Sequence, residues 1–161
     1  MRESLVQGGF IGRHAEHAQE LLAFVIEGEL YATPLSTVQE IVVPPPLTVV
    51  PRAPRAVVGV CSVRGRLVTV VDFRLCIGLP PLVGGKRGRI LLAQADDEEI
   101  LGLRVDEVRH VVRLAPGELE WTNQTFGGDF SEGVLRGIGR PSSGEELVLI
   151  DMKAVLTKGC A

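Results

Sequence analysis

Leu67-Val68-Thr69-Val70-Val71-Asp72-Phe73-Arg74 returns 79 residues later, in type more than in letter, as Glu146-Leu147-Val148-Leu149-Ile150-Asp151-Met152-Lys153. In both copies an apolar run closes on an aspartate, then a bulky apolar residue, then a base. A second match needs a shift of 70. It lays Leu21-Leu22-Ala23 on Leu91-Leu92-Ala93, Glu29 on Glu99, Val38 on Val108 and Val42 on Val112, with Leu35 on Val105 and Ile41 on Val111 as conservative partners. Each half thus reads as strand, turn, strand, a Val-x-x-Ile/Val unit, and a later strand ending in Asp. Two copies describe a pair of similar modules, since a solenoid would need more. A pair of modules has a groove between its halves.

The elements around these anchors are short and β-like. Leu21–Ile26 and Leu30–Leu35 flank Glu27-Gly28-Glu29 as a hairpin. Ser36 is placed to cap a helical turn carrying Val38 and Ile41, three residues apart. Pro44-Pro45-Pro46 demands an extended connector. Val57–Val63 and Leu67–Val71 are strands about the turn at Gly65, and Asp72 caps a short helix ending near Gly78. In the second half Ile90–Ala93, Ile100–Val105 with Val108–Val112, Val134–Ile138 and Glu146–Ile150 are strands, Pro116–Asp129 is a loop, and Asp151 starts a terminal helix through Leu156. Many short β runs broken by Gly and Pro predict an all-β chain of small closed or nearly closed barrels. The expected division is an arm over 1–18, a first barrel mainly over 30–88, a second mainly over 19–29 and 89–157, and a tail over 158–161.

Composition narrows the function. The 161 residues are 45% apolar, ample for one compact unit or two half-size modules. A formal net charge of -3 with scattered bases gives nucleic acid no phosphate-neutralising surface. Lys86, Arg87 and Arg89 follow Gly84-Gly85 and read as a solvated turn. No apolar run reaches the ~18 residues of a membrane helix, and the N-terminus lacks a secretory apolar core, so the expected location is cytoplasmic without direct membrane insertion. Cys61, Cys76 and Cys160 are odd in number and far apart, which argues against a disulfide framework. Cys61 and Cys76 are expected as buried small apolar residues and Cys160 in the tail.

No catalytic pattern in the sequence is complete. His14, His17 and His110 have no metal-type spacing to a Cys. There is no Gly-x-Ser-x-Gly elbow. Gly84-Gly85-Lys86-Arg87-Gly88 lacks both the glycine gap and the Ser/Thr of a phosphate loop, and Gly137-Ile138-Gly139 lacks its third glycine. Asp72 and Asp151 could be imagined as an acid pair beside Ser142-Ser143, yet their equivalent places predict helix capping twice. The expectation is a non-enzyme without cofactor or metal, whose surface does the work.

The stretch Gly59-Val60-Cys61-Ser62-Val63-Arg64-Gly65, followed by Leu67–Arg74, resembles the signature of the CheW family, the adaptors of bacterial chemosensory arrays. Leu22–Leu35, Val38-Gln39-Glu40-Ile41, Val50-Pro51-Arg52-Ala53-Pro54 and Gly102–Val108 resemble further family pieces in the same order, so the likeness spans about residues 20 to 157. It implies two pseudo-symmetric five-stranded SH3-like barrels with short helices around a shared core. It also implies an adaptor coupling the cytoplasmic tip of a methyl-accepting chemoreceptor to the regulatory domain of a CheA-type histidine kinase; a protein keeping one partner and acting as a competitor or spacer is the alternative. Arg64 and Glu40 match the family's functional arginine and acid. An apolar receptor groove between the modules is then expected, walled by Val38, Ile41, Val42, Val105 and Val111 with Glu40 and Arg64 at its rim. The resemblance singles out no residues for the kinase contact. Ser62 stands where the family pattern usually has Asn, and the triple proline is a second departure.

Overall fold

The computed structural model describes residues 17–82, 84–95, 97–122, 133–142 and 144–161. The strands are β1 (Gln19–Ile26), β2 (Glu29–Pro34), β3 (Glu40–Val42), β4 (Val57–Val63), β5 (Arg66–Asp72), β6 (Arg89–Gln94), β7 (Ile100–Val105), β8 (Glu107–Leu114), β9 (Leu119–Trp121), β10 (Leu135–Gly139) and β11 (Leu147–Ile150). Two short helices, α1 (Phe73–Cys76) and α2 (Met152–Gly159), follow β5 and β11. The strands form a five-stranded sheet, β3-β6-β7-β5-β4, and a six-stranded sheet, β8-β1-β2-β11-β10-β9.

These two orders are the same order. β3, β6, β7, β5 and β4 correspond to β8, β1, β2, β11 and β10, and the one parallel contact falls in the same place in each. Thr69 lies opposite Leu101 as Val148 lies opposite Tyr31. The irregularity between Val57 and Gly59 on β4 recurs between Leu135 and Gly137 on β10. The sixth place, held by β9 in the larger sheet, is held in the smaller by Thr48, which bridges Val60. In both sheets the chain leaving one edge strand returns as the opposite edge: β3 leads to Thr48, and β8 leads through a 3-10 turn at Pro116–Glu118 to β9.

The division between the sheets differs from the expected one. Each half of the sequence donates its leading hairpin to the other half's sheet: β1 and β2 join β8–β11, while β6 and β7 join β3–β5. Residues 29–34 therefore belong to the second barrel and 89–105 to the first. The sequence match at the hairpins is also off by one. Leu22 pairs with Thr33 and Leu91 with Leu103, so Leu22 corresponds to Leu91 and Leu21 to Ile90. A two-residue turn after Ile26 is replaced by three residues between Ala95 and Glu99, whose Ala95 N–H donates to the Glu99 carbonyl at 2.7 Å. A slip of one residue turns a strand over. Leu21 and Ala23 accordingly fill the interior of the six-stranded barrel, whereas Leu91 and Ala93 face the joint between barrels.

That joint is the largest apolar cluster. It collects Leu22, Phe24 and Ile26 from β1, Leu101 and Leu103 from β7, and Met152, Val155 and Leu156 from α2. Phe24, Tyr31 and Phe73 pack there, Phe73 meeting both other rings edge-on. Each barrel keeps a smaller interior of its own. One corner of the joint is polar: the Arg74 guanidinium, nearly buried on α1, donates to Asp106 at 2.6 Å, Glu27 at 2.5 Å and the Pro80 carbonyl at 2.8 Å. Asp106 joins β7 to β8, and Glu27 sits in the turn of the exchanged hairpin, so one cation ties both sheets.

Smaller expectations change too. The predicted helical turn through Val38 and Ile41 is a 3-10 turn at Leu35–Thr37 followed by β3, because pairing with β6 captures Glu40–Val42. The loop predicted from Pro116 holds β9, and its 123–129 portion lies outside the described residues, as do His14, Ser143 and nearly all of the arm. The tail starting at 158 is instead the end of α2, with Gly159 buried against Val71 and Cys160 packed on the joint. No helix among the described residues is long and apolar enough to cross a membrane.

Candidate functional site

Arg64 owes its position to a tight turn. Val63 pairs with Arg66, leaving Arg64-Gly65 as a two-residue hairpin loop. Both have positive φ, 51° and 79°. This is the type I′ pattern, whose twist suits a hairpin. Glycine adopts it freely; an arginine there is uncommon, and such strained residues concentrate at functional positions. The turn presents the Arg64 side chain at 74% exposure.

Glu40 begins β3, on the other edge of the same sheet. The curl of the barrel brings those edges together. Arg64 Nε donates to both Glu40 carboxylate oxygens at 3.1 Å, and its Nη2 donates to Oε2 as well. A fork of this kind fixes orientation as well as distance. The hydrogen bonds from Arg64 hold the Glu40 carboxyl below its ordinary value. Among the described residues the second barrel shows no matching pair: Arg140, which follows β10, pairs with Glu120 and Glu146, and His110 stands at the place of Glu40.

The five apolar candidates separate. Ile41 lies opposite Leu91, a joint residue, and is 42% exposed; Val111 lies opposite Leu22, also of the joint, and is 47% exposed. Val38 is partly buried against the same cluster. These three border the joint. Val42 instead turns into the interior of the five-stranded barrel, because alternate residues of a strand face opposite ways. Val105 is 2% exposed and belongs to the core, and it sits on β7 of the first barrel, not the second. Neither Val42 nor Val105 can wall an open groove. Val108, the counterpart of Val38, does reach the joint's edge and was not among the candidates, although the repeat had already matched the two. Glu40 and Ile41 are consecutive, so the ion pair and the apolar border occupy opposite faces of β3.

The two aspartates weighed as an acid pair are bound in the structure as follows. Asp72 accepts from the Arg74 N–H on Oδ1 and from Arg104 on Oδ2. Asp151 accepts from the Ala154 N–H on Oδ1 and from Arg136 on Oδ2. Both are helix caps, and every oxygen of the pair is committed. Burial pushes the Cys76 thiol up to about 12 and raises those of Cys61 and Cys160, so the thiols are held away from the nucleophilic thiolate. No group of three metal-ligating side chains occurs among the described residues.

Comparison with known proteins places this geometry. A family profile described as the CheW-like domain matches residues 20–159. The chain is similar to the chemotaxis protein CheW of Helicobacter pylori, 30% identical over 111 residues that cover 69% of this chain and 67% of that protein. It is also similar to the chemotaxis protein CheW of Rhizobium meliloti, 28% identical over 137 residues, 85% of this chain and 86% of that one. In three dimensions it matches the scaffolding protein TtCheW from Thermoanaerobacter tengcongensis with a TM-score of 0.70, at 22% identity, over 82% of this chain and 88% of the other. At that identity the last match speaks for the fold.

Proposed function

The chain belongs to the CheW-like domain family, and from that premise we propose that it is a chemotaxis coupling adaptor without catalysis of its own. Its partners in this reading are the cytoplasmic tip of a methyl-accepting chemoreceptor and the regulatory domain of a CheA-type histidine kinase. The work is then done in the cytoplasm, where those two meet.

The observation that carries the reading is the Arg64–Glu40 fork. A strained, exposed arginine held by an acid from the opposite sheet edge is poorly explained by stability, since exposed ion pairs contribute little. It is well explained as a rigid recognition element. The apolar border of the joint at Val38, Ile41, Val108 and Val111 adds the second ingredient. A helix-in-groove contact draws affinity from apolar side chains and orientation from flanking charge. In this proposal the receptor helix lies along that border, and Arg64 with Glu40, on the opposite face of the edge strand β3, sets its register where the helix passes the strand's end.

The test is Arg64→Asp in the full chain, with affinity for a receptor-tip fragment and thermal unfolding measured side by side. The expected result is about tenfold weaker binding with the melting temperature nearly unchanged. Unaltered affinity would remove Arg64 from the site, and a collapsed melting temperature would make its role structural.

A further inference from the structure

Between the described strands the chain passes from one sheet to the other twice, and the two crossings are built differently. From β2 to β3 it takes residues 35–39; from β7 to β8 it takes Asp106 alone. The crossings are counterparts in the repeat, since the shift of 70 lays Leu35 on Val105 and Ser36 on Asp106. What differs between two copies of one plan is where a later function can be read.

Ion pairs brace the Asp106 crossing. Arg104 and Asp106 flank Val105, while Asp72 and Arg74 flank Phe73 at the start of α1. The two sets are reciprocal: Arg104 donates to Asp72 at 2.8 and 2.5 Å, and Arg74 donates to Asp106 at 2.6 Å. The same Asp106 oxygen accepts the Glu27 N–H at 2.8 Å, and the Asp106 N–H donates to the Val25 carbonyl at 3.1 Å. Val25 and Glu27 belong to the β1–β2 hairpin of the other sheet. Its turn, Glu27-Gly28, has φ values of 51° and 79°, those of Arg64-Gly65. A second charged residue is thus held in a strained conformation, here with its carboxylate on Arg74. In the other copy Pro34 and Ser36 stand at the places of Arg104 and Asp106, and Asp151 takes Arg136 instead. The brace is an addition to the duplicated plan.

We infer that Arg74 is a positioning residue, which through Asp106 and Glu27 fixes the angle between the barrels and with it the spacing of the joint's apolar border. The joint is apolar, and burial of apolar surface has no direction of its own. Packed faces of that kind can slide past one another. A guanidinium aimed at Asp106, Glu27 and the Pro80 carbonyl supplies the missing direction. Asp106 is the residue from which β8 starts, and Val108 and Val111 follow on that strand. Val38 lies in the longer crossing and Ile41 on β3, so the two sides of the border move with different barrels. Arg74 itself is nearly buried and acts through the crossing, not by touching a partner. The inference deepens the proposed receptor site and rests on that reading.

Residual dipolar couplings of the full chain, with titration of a receptor-tip fragment, test it. The variants are Arg74→Met with Asp106→Asn, which leaves no orphaned charge in that pair, and independently Glu27→Ala. Glu27 is 57% exposed, so its variant carries the test should the buried pair not tolerate exchange. Arg136→Ala, which opens the ion pair of the other copy, is the control, and unfolding is monitored for each. In the two test variants each sheet should keep its own couplings, while the frames of the two sheets rotate relative to the wild type. Receptor-fragment affinity should fall at least about fivefold. Arg136→Ala should change neither. Folded test variants that keep the wild-type orientation, or an equal rotation in Arg136→Ala, would overturn the inference. A rotated joint with unchanged affinity would overturn its role in the receptor site. A wild-type chain that does not bind the fragment would overturn the receptor reading itself, while the couplings would still decide whether Arg74 sets the angle.

Discussion

Asp72 and Asp151 hold the same place in the two halves of the chain. The Asp72 N–H donates to the Ala56 carbonyl at 2.8 Å, and the Asp151 N–H donates to the Val134 carbonyl at 2.9 Å. Each side chain caps the helix that follows and binds an arginine from a neighbouring strand, Arg104 for Asp72 and Arg136 for Asp151. The duplication thus extends to that backbone bond and to the caps, whereas the two arginines come from strands that do not correspond, β7 and β10.

The two caps differ in burial. Asp72 is 1% exposed, whereas the Asp151 side chain is 15% exposed and its arginine 43%. Asp72→Ala removes a cap and leaves Arg104 without its partner in a partly buried place, a loss of about 3 kcal/mol. Asp151→Ala should cost about 1 kcal/mol, mostly the cap. Urea unfolding of both variants with unchanged slope checks the ranking.

Gly59 and Gly137 mark the matching irregularities on β4 and β10. A Cβ at Gly59 would stand 2.6 Å from the Thr48 carbonyl oxygen, and at Gly137 2.2 Å from that of Glu120. Both obstacles are backbone of the strand that completes the barrel. Alanine at either position should destabilise by about 2 kcal/mol or more. Gly28→Asn, at φ 79° in open space, is the tolerated control.

Arg74 ties Asp106 and Glu27 across the joint, and its side chain is only 8% exposed. Arg74→Met leaves the Asp106 carboxylate, 14% exposed, without its cation. A loss of about 3 kcal/mol is expected, and Asp106→Asn in the Arg74→Met background should recover part of it. Thermal unfolding of the two variants measures this.

Much of this architecture was legible in the sequence. The match of Leu67–Arg74 to Glu146–Lys153 located two strands and two caps. The exchange of hairpins was not legible, because which distant strand β1 or β6 pairs with leaves no local mark. The one-residue insertion before Glu99 misaligned Leu21 with Leu91, and both faces of β6 are apolar enough to hide the slip. At the site, the meeting of Glu40 and Arg64 depends on the barrel's closure, so composition and periodicity alone could not have paired them; the family resemblance nominated both. The same closure decides that Val42 and Val105 are interior, which a run of valines does not disclose.

The Glu40 carboxyl titrates below its ordinary value of 4.5 because Arg64 hydrogen-bonds its charged form. A depressed carboxylate contributes stability that is present above the unfolded-state value and is lost as pH falls through the folded one. The fork should therefore persist at neutral pH and open on acidification below pH 4.5. Side-chain carboxyl NMR should find Glu40 titrating lower in the wild type than in Arg64→Ala, where it returns toward 4.5.

Sedimentation of the chain with both partners reads out coupling most directly. With the kinase regulatory domain and a receptor-tip fragment at saturating concentrations, the account predicts one boundary containing all three proteins, larger than either binary complex. If adding the receptor fragment instead releases the kinase domain, or the reverse, the two share one surface. The chain would then be a competitor and not a coupler, which contradicts the account.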